Sequence, residues 1–437
     1  MARLLQSLRR ILGLAKPPAP TFSRSIDTDF SVFQEGDRVV LLGKHPQLTK
    51  PLKRGHKTDT RVGALDHDTI IGRRVRDLVR TNKGSGFRVT LPALDEYVAF
   101  TPRLVTPIYS ADANLIVSLL DLHVGPPADG EQPPLEILES GTGHGSLTLH
   151  LARAIQGANS RPPPLPDKSQ VRFLEGRPIR PGTSDEEKQW SRKTAANKDA
   201  ENDPVQQQWD SWRAGRSAVV HTVDISPQYS ANAEKIVRGF RRGIYAGNVD
   251  FYAGHIGNWV TEQKKRRAST TGLLSLGAVK VEPFLSCAFL DMPSAHLNVP
   301  LVAPILKTNG ILAVFMPSIT QIGDCVTLIR QQRLPFVMDR TVELGMGLSN
   351  GRSWDVRAAF KKSRADPSSW SESSGSDEPA AQQDATPQDT DAEAAVGPEA
   401  TQKDAESVLI CRPKVGQKLV GGGFVGIWRR ITDFGEQ

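Results

Sequence analysis

A strand–turn–helix signal at residues 135–155 constrains this chain more than any other stretch. Leu135-Glu-Ile-Leu138 is compact and largely apolar, as a buried parallel strand should be. Gly141, Gly143 and Gly145 then supply a turn, and Leu147, Leu151, Ala154 and Ile155 recur at helical spacing. Glycines at such a turn let the backbone bend sharply and approach a ligand that a Cβ would keep away. The start of the helix presents unpaired N–H groups and a positive dipole end. A chain built around this unit is expected to form an α/β fold with ligands at the carboxyl ends of its strands.

The spacing says which ligand. A dinucleotide loop reads G-x-G-x-x-G, whereas here it is G-x-G-x-G, preceded by Glu139 at the strand end. An acid beside the turn disfavours phosphate and suits a cation. S-adenosylmethionine (SAM) fits, having an ammonium, a sulfonium and no phosphate. A plain structural turn is the alternative on pattern alone. An acid after the second strand should take the ribose hydroxyls roughly 20 residues past the glycines. Asp224 ends the apolar run Ala218-Val-Val-His-Thr-Val-Asp224, but lies 79 residues past Gly145. Removing the Pro-rich and then highly charged stretch 157–217, which has no apolar period, restores the spacing and makes it an insertion expected to be disordered.

The remainder of the chain is read around that unit. Residues 1–26 carry five basic residues and no acid, with Leu4, Leu5, Leu8, Ile11 and Leu12 on one helical face, the composition of a mitochondrial presequence; a disordered basic tail is the alternative. Residues 27–104 read as a small β domain, with strands expected at 37–42, 69–71, 87–91 and 97–100 between glycines. Its basic stretch Lys44–Arg61 is either an RNA-backbone contact or a solvated loop. A helix is expected over 108–122, then the glycine turn. Further strands are expected at 249–252, 285–290, 310–315 and 335–344, with a basic polar loop at Lys264–Arg267. Residues 363–407 are polar, acidic and low in hydrophobics, hence expected to be disordered, and 408–437 to return as a closing strand. The methyltransferase domain would thus span 105–362. With 55 basic against 48 acidic residues the net charge is +7, compatible with an RNA partner. Three scattered cysteines, with no C-x-x-C pair, suggest neither a disulfide framework nor a metal site, and no apolar run is long enough to span a membrane.

Three segments together are more specific. Glu139-Ser-Gly-Thr-Gly-His-Gly-Ser146, Phe289-Leu-Asp-Met-Pro293 and Phe315-Met-Pro-Ser-Ile-Thr-Gln321 resemble the tRNA adenine-N1 methyltransferases that modify the T-loop adenine at tRNA position 58. The likeness is to the catalytic-subunit type and leans to a fungal mitochondrial member. Ile108-Tyr-Ser-Ala-Asp112 is similar to the family's segment before the first strand. The resemblance implies a class I SAM-dependent methyltransferase, Rossmann-like with a seven-stranded sheet, behind a small N-terminal β domain.

Carried over residue by residue, the resemblance gives Asp291 the catalytic role. It gives Glu139, Gly141, Thr142, Gly143, His144, Gly145, Ser146, Asp224 and His255 to the cofactor, and Tyr109, Met292 and Pro293 to the substrate. His144 stands where the family has Ser, His255 where it has an adenine-binding Asp, Ala295 and His296 where it has Pro-Trp, and Thr320 where it has Glu. The implied activity is methyl transfer from SAM to N1 of that adenine in tRNA. The alternatives are a non-catalytic RNA-binding partner subunit, or a methyltransferase for another RNA or a protein. Assembly as a homotetramer, or as a heterotetramer with a related subunit, is implied by analogy, with neither metal nor membrane. The mitochondrial matrix is the expected location, the nucleus its alternative.

Overall fold

The computed structural model describes residues 25–43, 45–125, 133–176, 203–271, 281–345, 354–360, 407–413 and 422–432. The presequence-like segment up to residue 24 and nearly all of 363–407 lie outside them. Two units are distinguished, one made of 1–350 with 419–437, the other of 351–418.

The larger unit begins with short antiparallel strands. These are β1 (Val40–Leu42), β2 (Gln47–Leu48), β3 (Lys57–Thr60), β4 (Gly63–Asp66), β5 (Leu78–Arg80) and β6 (Gly86–Thr90). Four form a sheet in the order β2-β1-β6-β5, and β3 and β4 form a hairpin. Phe33, Leu41, Leu65, Ile70 and Val89 are buried between them. Two expected strands are corrected. Residues 67–69 make a tight helical turn, and the next residue, Ile70, fills this core. Residues 97–100 belong to a helix, α1 (Leu94–Phe100). The Glu96 carboxylate accepts the Ala93 N–H at its start (2.9 Å), and Asp95 adds favourable charge in the first turn. This capping bond and first-turn charge outweigh the β preference of Tyr97 and Val98. The helix fastens the small domain to the rest of the larger unit, since Tyr97 donates its hydroxyl to the carbonyl of Ile236 (2.9 Å). Arg242, with φ of 56°, donates through Nε and Nη2 to both oxygens of buried Asp37 at 2.9 Å each.

After α2 (Ser110–Leu119) comes the main sheet. Its strands are β7 (Leu135–Ser140), β8 (Arg172–Phe173), β9 (Ala218–Asp224), β10 (Val249–Ala253), β11 (Leu285–Leu290), β12 (Leu306–Met316), β13 (Phe336–Leu344) and β16 (Gly423–Arg430). Their order is β13-β16-β12-β11-β7-β9-β10-β8, parallel from β12 to β8, with β16 antiparallel between β12 and β13. The expected seven strands are therefore eight, because the two residues of β8 add to the edge beside Tyr252 and Ala253. Helices α3 (Ser146–Ala154), α4 (Pro204–Ala214), α5 (Pro227–Gly239), α6 (Ile256–Thr271) and α7 (Ile319–Gln331) accompany the strands, and apolar clusters lie on both sheet faces. Lys264–Arg267 lie inside α6, not in a loop.

The insertion is ordered at both described ends, which corrects the expectation for 157–217; only 177–202 lies outside the described residues. Asn159 bonds the start of β9 through Ala218 and Ser217 and also reaches Asn248. Val171 and Leu174 are buried. Asp203 caps α4, Pro204 opens it, and Trp209 and Trp212 bury against the body. The smaller unit contains an antiparallel pair, β14 (Trp354–Phe360) and β15 (Ser407–Pro413), in register from Trp354 opposite Pro413 to Phe360 opposite Ser407. The stretches expected to close the methyltransferase domain at 362 and to return from 408 are thus divided: β16 alone joins the large sheet.

Candidate functional site

Three neighbouring strands end together. Leu290, Ser140 and Val223 stand in register across β11, β7 and β9, so Asp291, Gly141 and Asp224 form the next row at the carboxyl edge. Two strand spacings separate the backbones of Asp291 and Asp224 by about 10 Å. Gly141 donates to the carbonyl of Val223 (2.9 Å), and Asp291 donates its N–H to the carbonyl of Ser140 (2.8 Å). Gly141 has φ of 98°, and a Cβ there would lie 1.8 Å from the Asp291 carbonyl oxygen. Only glycine permits this approach. Gly145, with φ of 82°, starts α3 and packs where a Cβ would press on Ala233.

The acids are held differently from one another. Glu139 is 1% exposed, and its Oε2 accepts the hydroxyls of Thr148 (2.6 Å) and Thr222 (2.8 Å). Because Thr222 donates there, the bond between Thr142 and Thr222 (2.7 Å) has Thr142 as donor, and a relay runs from the turn to Glu139. Burial pushes the Glu139 carboxyl up to about 8, with the charges of Asp291 and Asp224 adding to it. Asp224 accepts the Gly143 N–H on Oδ2 (2.9 Å) and the Ser226 N–H on Oδ1 (2.8 Å). It therefore clamps the turn while keeping further acceptor positions on both oxygens, and burial raises its pKa. Burial, then the Asp224 charge, pushes Asp291 up to about 7.

Around this row the structure brings most of the expected residues together. Ser146 donates to the Ile108 carbonyl (2.6 Å), drawing the 103–110 segment against the turn. Arg103 lies over the Tyr109 ring and donates to its hydroxyl (3.2 Å). His144 is 2% exposed, and neither ring nitrogen has a hydrogen-bond partner. Burial first, and Arg103 second, push it down to about 4, so it is neutral at physiological pH. His255 lies just past β10; its Nδ1 accepts the Gly257 N–H (3.0 Å), and burial lowers its pKa. Met292 packs partly against the core, taking weak contacts from Ser140 and Asn298, whereas Pro293 is exposed. Thr320 sits in the first turn of α7, where Ser318 and Gln321 form a capping box. Sequence reasoning missed Thr222 and Thr148, whose signal was a hydroxyl inside an apolar run, and Arg103, which carried none.

Residues 32–74 match the model of the TrmI-like N-terminal family. The tRNA (adenine(58)-N(1))-methyltransferase TrmI of Thermus thermophilus is 24% identical over 295 residues, 68% of this chain and 78% of the relative. The catalytic subunit TRM61 of the corresponding Candida albicans enzyme is 29% identical over 125 residues, 28% of this chain and 34% of that protein. A SAM-dependent O-methyltransferase from Thermotoga maritima superposes with a TM-score of 0.51 at 14% identity, covering 94% of this chain and 98% of that one, a likeness of fold.

The glycine turn fits a SAM-type ligand on this chain's own features. At Gly141 only backbone of Asp291 abuts the turn, and carboxylates rather than cations act on Glu139 and Asp291. Among the described residues, no group of three His, Cys, Asp or Glu is arranged to hold a metal, and no helix is long and apolar enough to cross a membrane.

Proposed function

We propose that this chain transfers a methyl group from SAM to N1 of the T-loop adenine, position 58, of tRNA. The observation that carries the reading is the row Asp291–Gly141–Asp224 at the ends of three adjacent strands, with Glu139 behind it. When bound, the cofactor supplies an electrophilic methyl group and a sulfonium charge. Gly141, Gly143 and the relay through Thr142 would hold its methionine part, and Asp224, with His255 beside it, its nucleoside.

Adenine N1 is a neutral nucleophile with an in-plane lone pair, so the chain need not remove a proton before attack. Asp291 accepts from the exocyclic amine and keeps N1 facing the reacting carbon, and Tyr109 and Met292 flank the base. Positive charge develops on the purine as transfer proceeds, and the Asp291 carboxylate is already in place to stabilise it. Alignment supplies most of the remaining rate. The adenine must leave its stack to reach the row. The basic excess favours a nucleic-acid acceptor.

The test is methyl transfer from labelled SAM to unmodified tRNA transcripts carrying adenine or a changed base at position 58. Labelling that requires the adenine supports the reading; labelling that ignores it assigns another acceptor. A non-catalytic partner subunit is the second reading, and SAM calorimetry separates it, since that subunit would give no binding heat. We also propose action in the mitochondrial matrix, from the composition of residues 1–26, and a tetramer, homomeric or with a related subunit. Import of a fluorescent fusion and sedimentation of the purified chain test these, nuclear fluorescence supporting the alternative location.

A further inference from the structure

The small β domain carries two basic stretches, and the fold treats them unlike one another. Around the β3–β4 hairpin, Lys57 pairs with Asp66 (3.4 Å), and Arg54 lies 4.0 Å from both Glu35 and Asp68. The four-stranded sheet is different. None of its strands, β2, β1, β6 and β5, contains an acid. No acid occurs between Asp77 and Asp95, where Arg80, Lys83 and Arg88 fall. Asp77 turns its Oδ2 to the Arg74 N–H (3.1 Å). Among the described residues, no ion pair reaches Arg76, Arg80, Lys83 or Arg88.

Alternation along β5 and β6 puts the strand arginines on one outer face. Val79 and Val89 are buried in the core, whereas Leu78, Arg80, Gly86 and Arg88 are exposed on the opposite side. Leu78 stands opposite Arg88, and Arg80 opposite Gly86, so the two arginines are diagonal neighbours about 7–8 Å apart. Each is steadied by one bond. Arg80 Nη1 donates to the Gly84 carbonyl and Arg88 Nη1 to the Arg76 carbonyl, both at 3.1 Å. The rest of each guanidinium keeps its donors for a partner. Leu78, 51% exposed, leans over Gly86, 3.2 Å from where a Cβ would be, and makes an apolar floor between the cations.

Resting on the tRNA reading above, we propose that this face, with Arg76, Arg80, Lys83 and Arg88 around Leu78, holds the RNA backbone, rather than the Lys44–Arg61 stretch. Fork-shaped guanidinium donors match phosphate oxygens, and Leu78 offers a surface to the sugar. Such contacts set position and affinity and read no base sequence.

The experiment is filter binding of an unmodified tRNA transcript to the full chain from about 50 to 200 mM salt. Arg80→Ala together with Arg88→Ala removes two phosphate contacts. The slope of log affinity against log salt should become shallower by about 1.4–1.8, and affinity at about 0.15 M salt should fall about 10- to 30-fold. SAM affinity by calorimetry and kcat at saturating tRNA should hold, while KM for tRNA rises. Arg80→Lys together with Arg88→Lys keeps the charge, should restore most of the slope, and guards against a folding defect in the Ala variant. A slope unaltered by the Ala pair, or lost and not restored by the Lys pair, overturns the inference alone and leaves the face to an acidic protein or to solvent. If the native chain binds no tRNA, the acceptor reading falls and the inference with it.

Discussion

The main sheet holds two groups of buried acids, and they are treated in opposite ways. Within its strands, Glu136 on β7 and Asp250 on β10 flank His221 on β9. Glu136 accepts from His221 Nε2 (2.9 Å) and Arg267 (2.7 Å). Asp250 accepts from Arg213 (2.7 Å) and Arg216 (2.9 Å), which come from α4 and the residues after it. Against the cost of burial, Arg213 and Arg216 hold the Asp250 carboxyl well below its usual range, and His221 and Arg267 lower that of Glu136. At the carboxyl edge of the same sheet, Glu139 and Asp291 have hydroxyl and backbone neighbours, and burial, with carboxylate charge beside it, raises their pKa values to about 8 and about 7. Charge that the fold neutralises serves the fold. Charge that it leaves uncompensated is available to a cationic ligand and to a purine that becomes one.

The contrast can be broken in several ways, the largest first. Asp250→Ala strands Arg213 and Arg216 without their buried partner and should cost about 3–5 kcal/mol, read by urea unfolding. A loss below about 1 kcal/mol would mean that the two groups of acids do not differ in kind. Asp291→Asn should instead leave stability nearly unchanged and lower kcat by about 10²- to 10³-fold with donor affinity retained. Near-native turnover in that variant would remove Asp291 from the chemistry.

A smaller effect sharpens the comparison through pH. Glu139 has a raised pKa in the folded chain, so the folded state holds its proton more tightly than the unfolded one. Its favourable contribution to stability is complete below the ordinary value of 4.5 and is lost as pH rises through about 8. Asp291 behaves likewise from 3.8 to about 7. The ligand-free chain should therefore melt at lower temperature as pH rises through this window, while SAM affinity increases as Glu139 ionises. Glu139→Gln should flatten both profiles; an unaltered pH profile in that variant would assign the effect elsewhere. The smallest effect belongs to the exposed pairs of the basic stretch. Arg54 lies 4.0 Å from Glu35 and from Asp68, and Arg54→Ala should change stability by less than about 1 kcal/mol. A loss of tRNA affinity in this variant, measured by filter binding, would give the stretch an RNA role.

Much of the site was legible in the residues because its signals are local. The turn between Ser140 and Ser146, the apolar run ending in Asp224 and the run ending in Asp291 each show strand, stop and polar residue within a few positions. Parallel α/β chemistry places such strand ends on one edge, and the resemblance, not the pattern, singled out Asp291 among them. The tight approach of Asp291 to Gly141 was foreseeable as a need for glycine, though not its neighbour. Helix α1 was not legible, because Tyr97-Val-Ala-Phe100 has the composition of a strand and Glu96 decides it by capping. The ends of the insertion were not legible either: Arg213 and Arg216 look like solvated charge until β10 brings Asp250 to them.

By itself the sequence determined the unit of fold and the kind of ligand, since periodicity, glycine spacing and an acid beside a turn act over a few residues. Tertiary structure alone decided which acids are neutralised. Whether Glu136 and Glu139, three residues apart on one strand, become scaffold or site depends on what distant segments bring alongside, cations for the first and hydroxyls for the second. Burial makes that choice costly to reverse, because an unpaired charge in the interior has no water to share it.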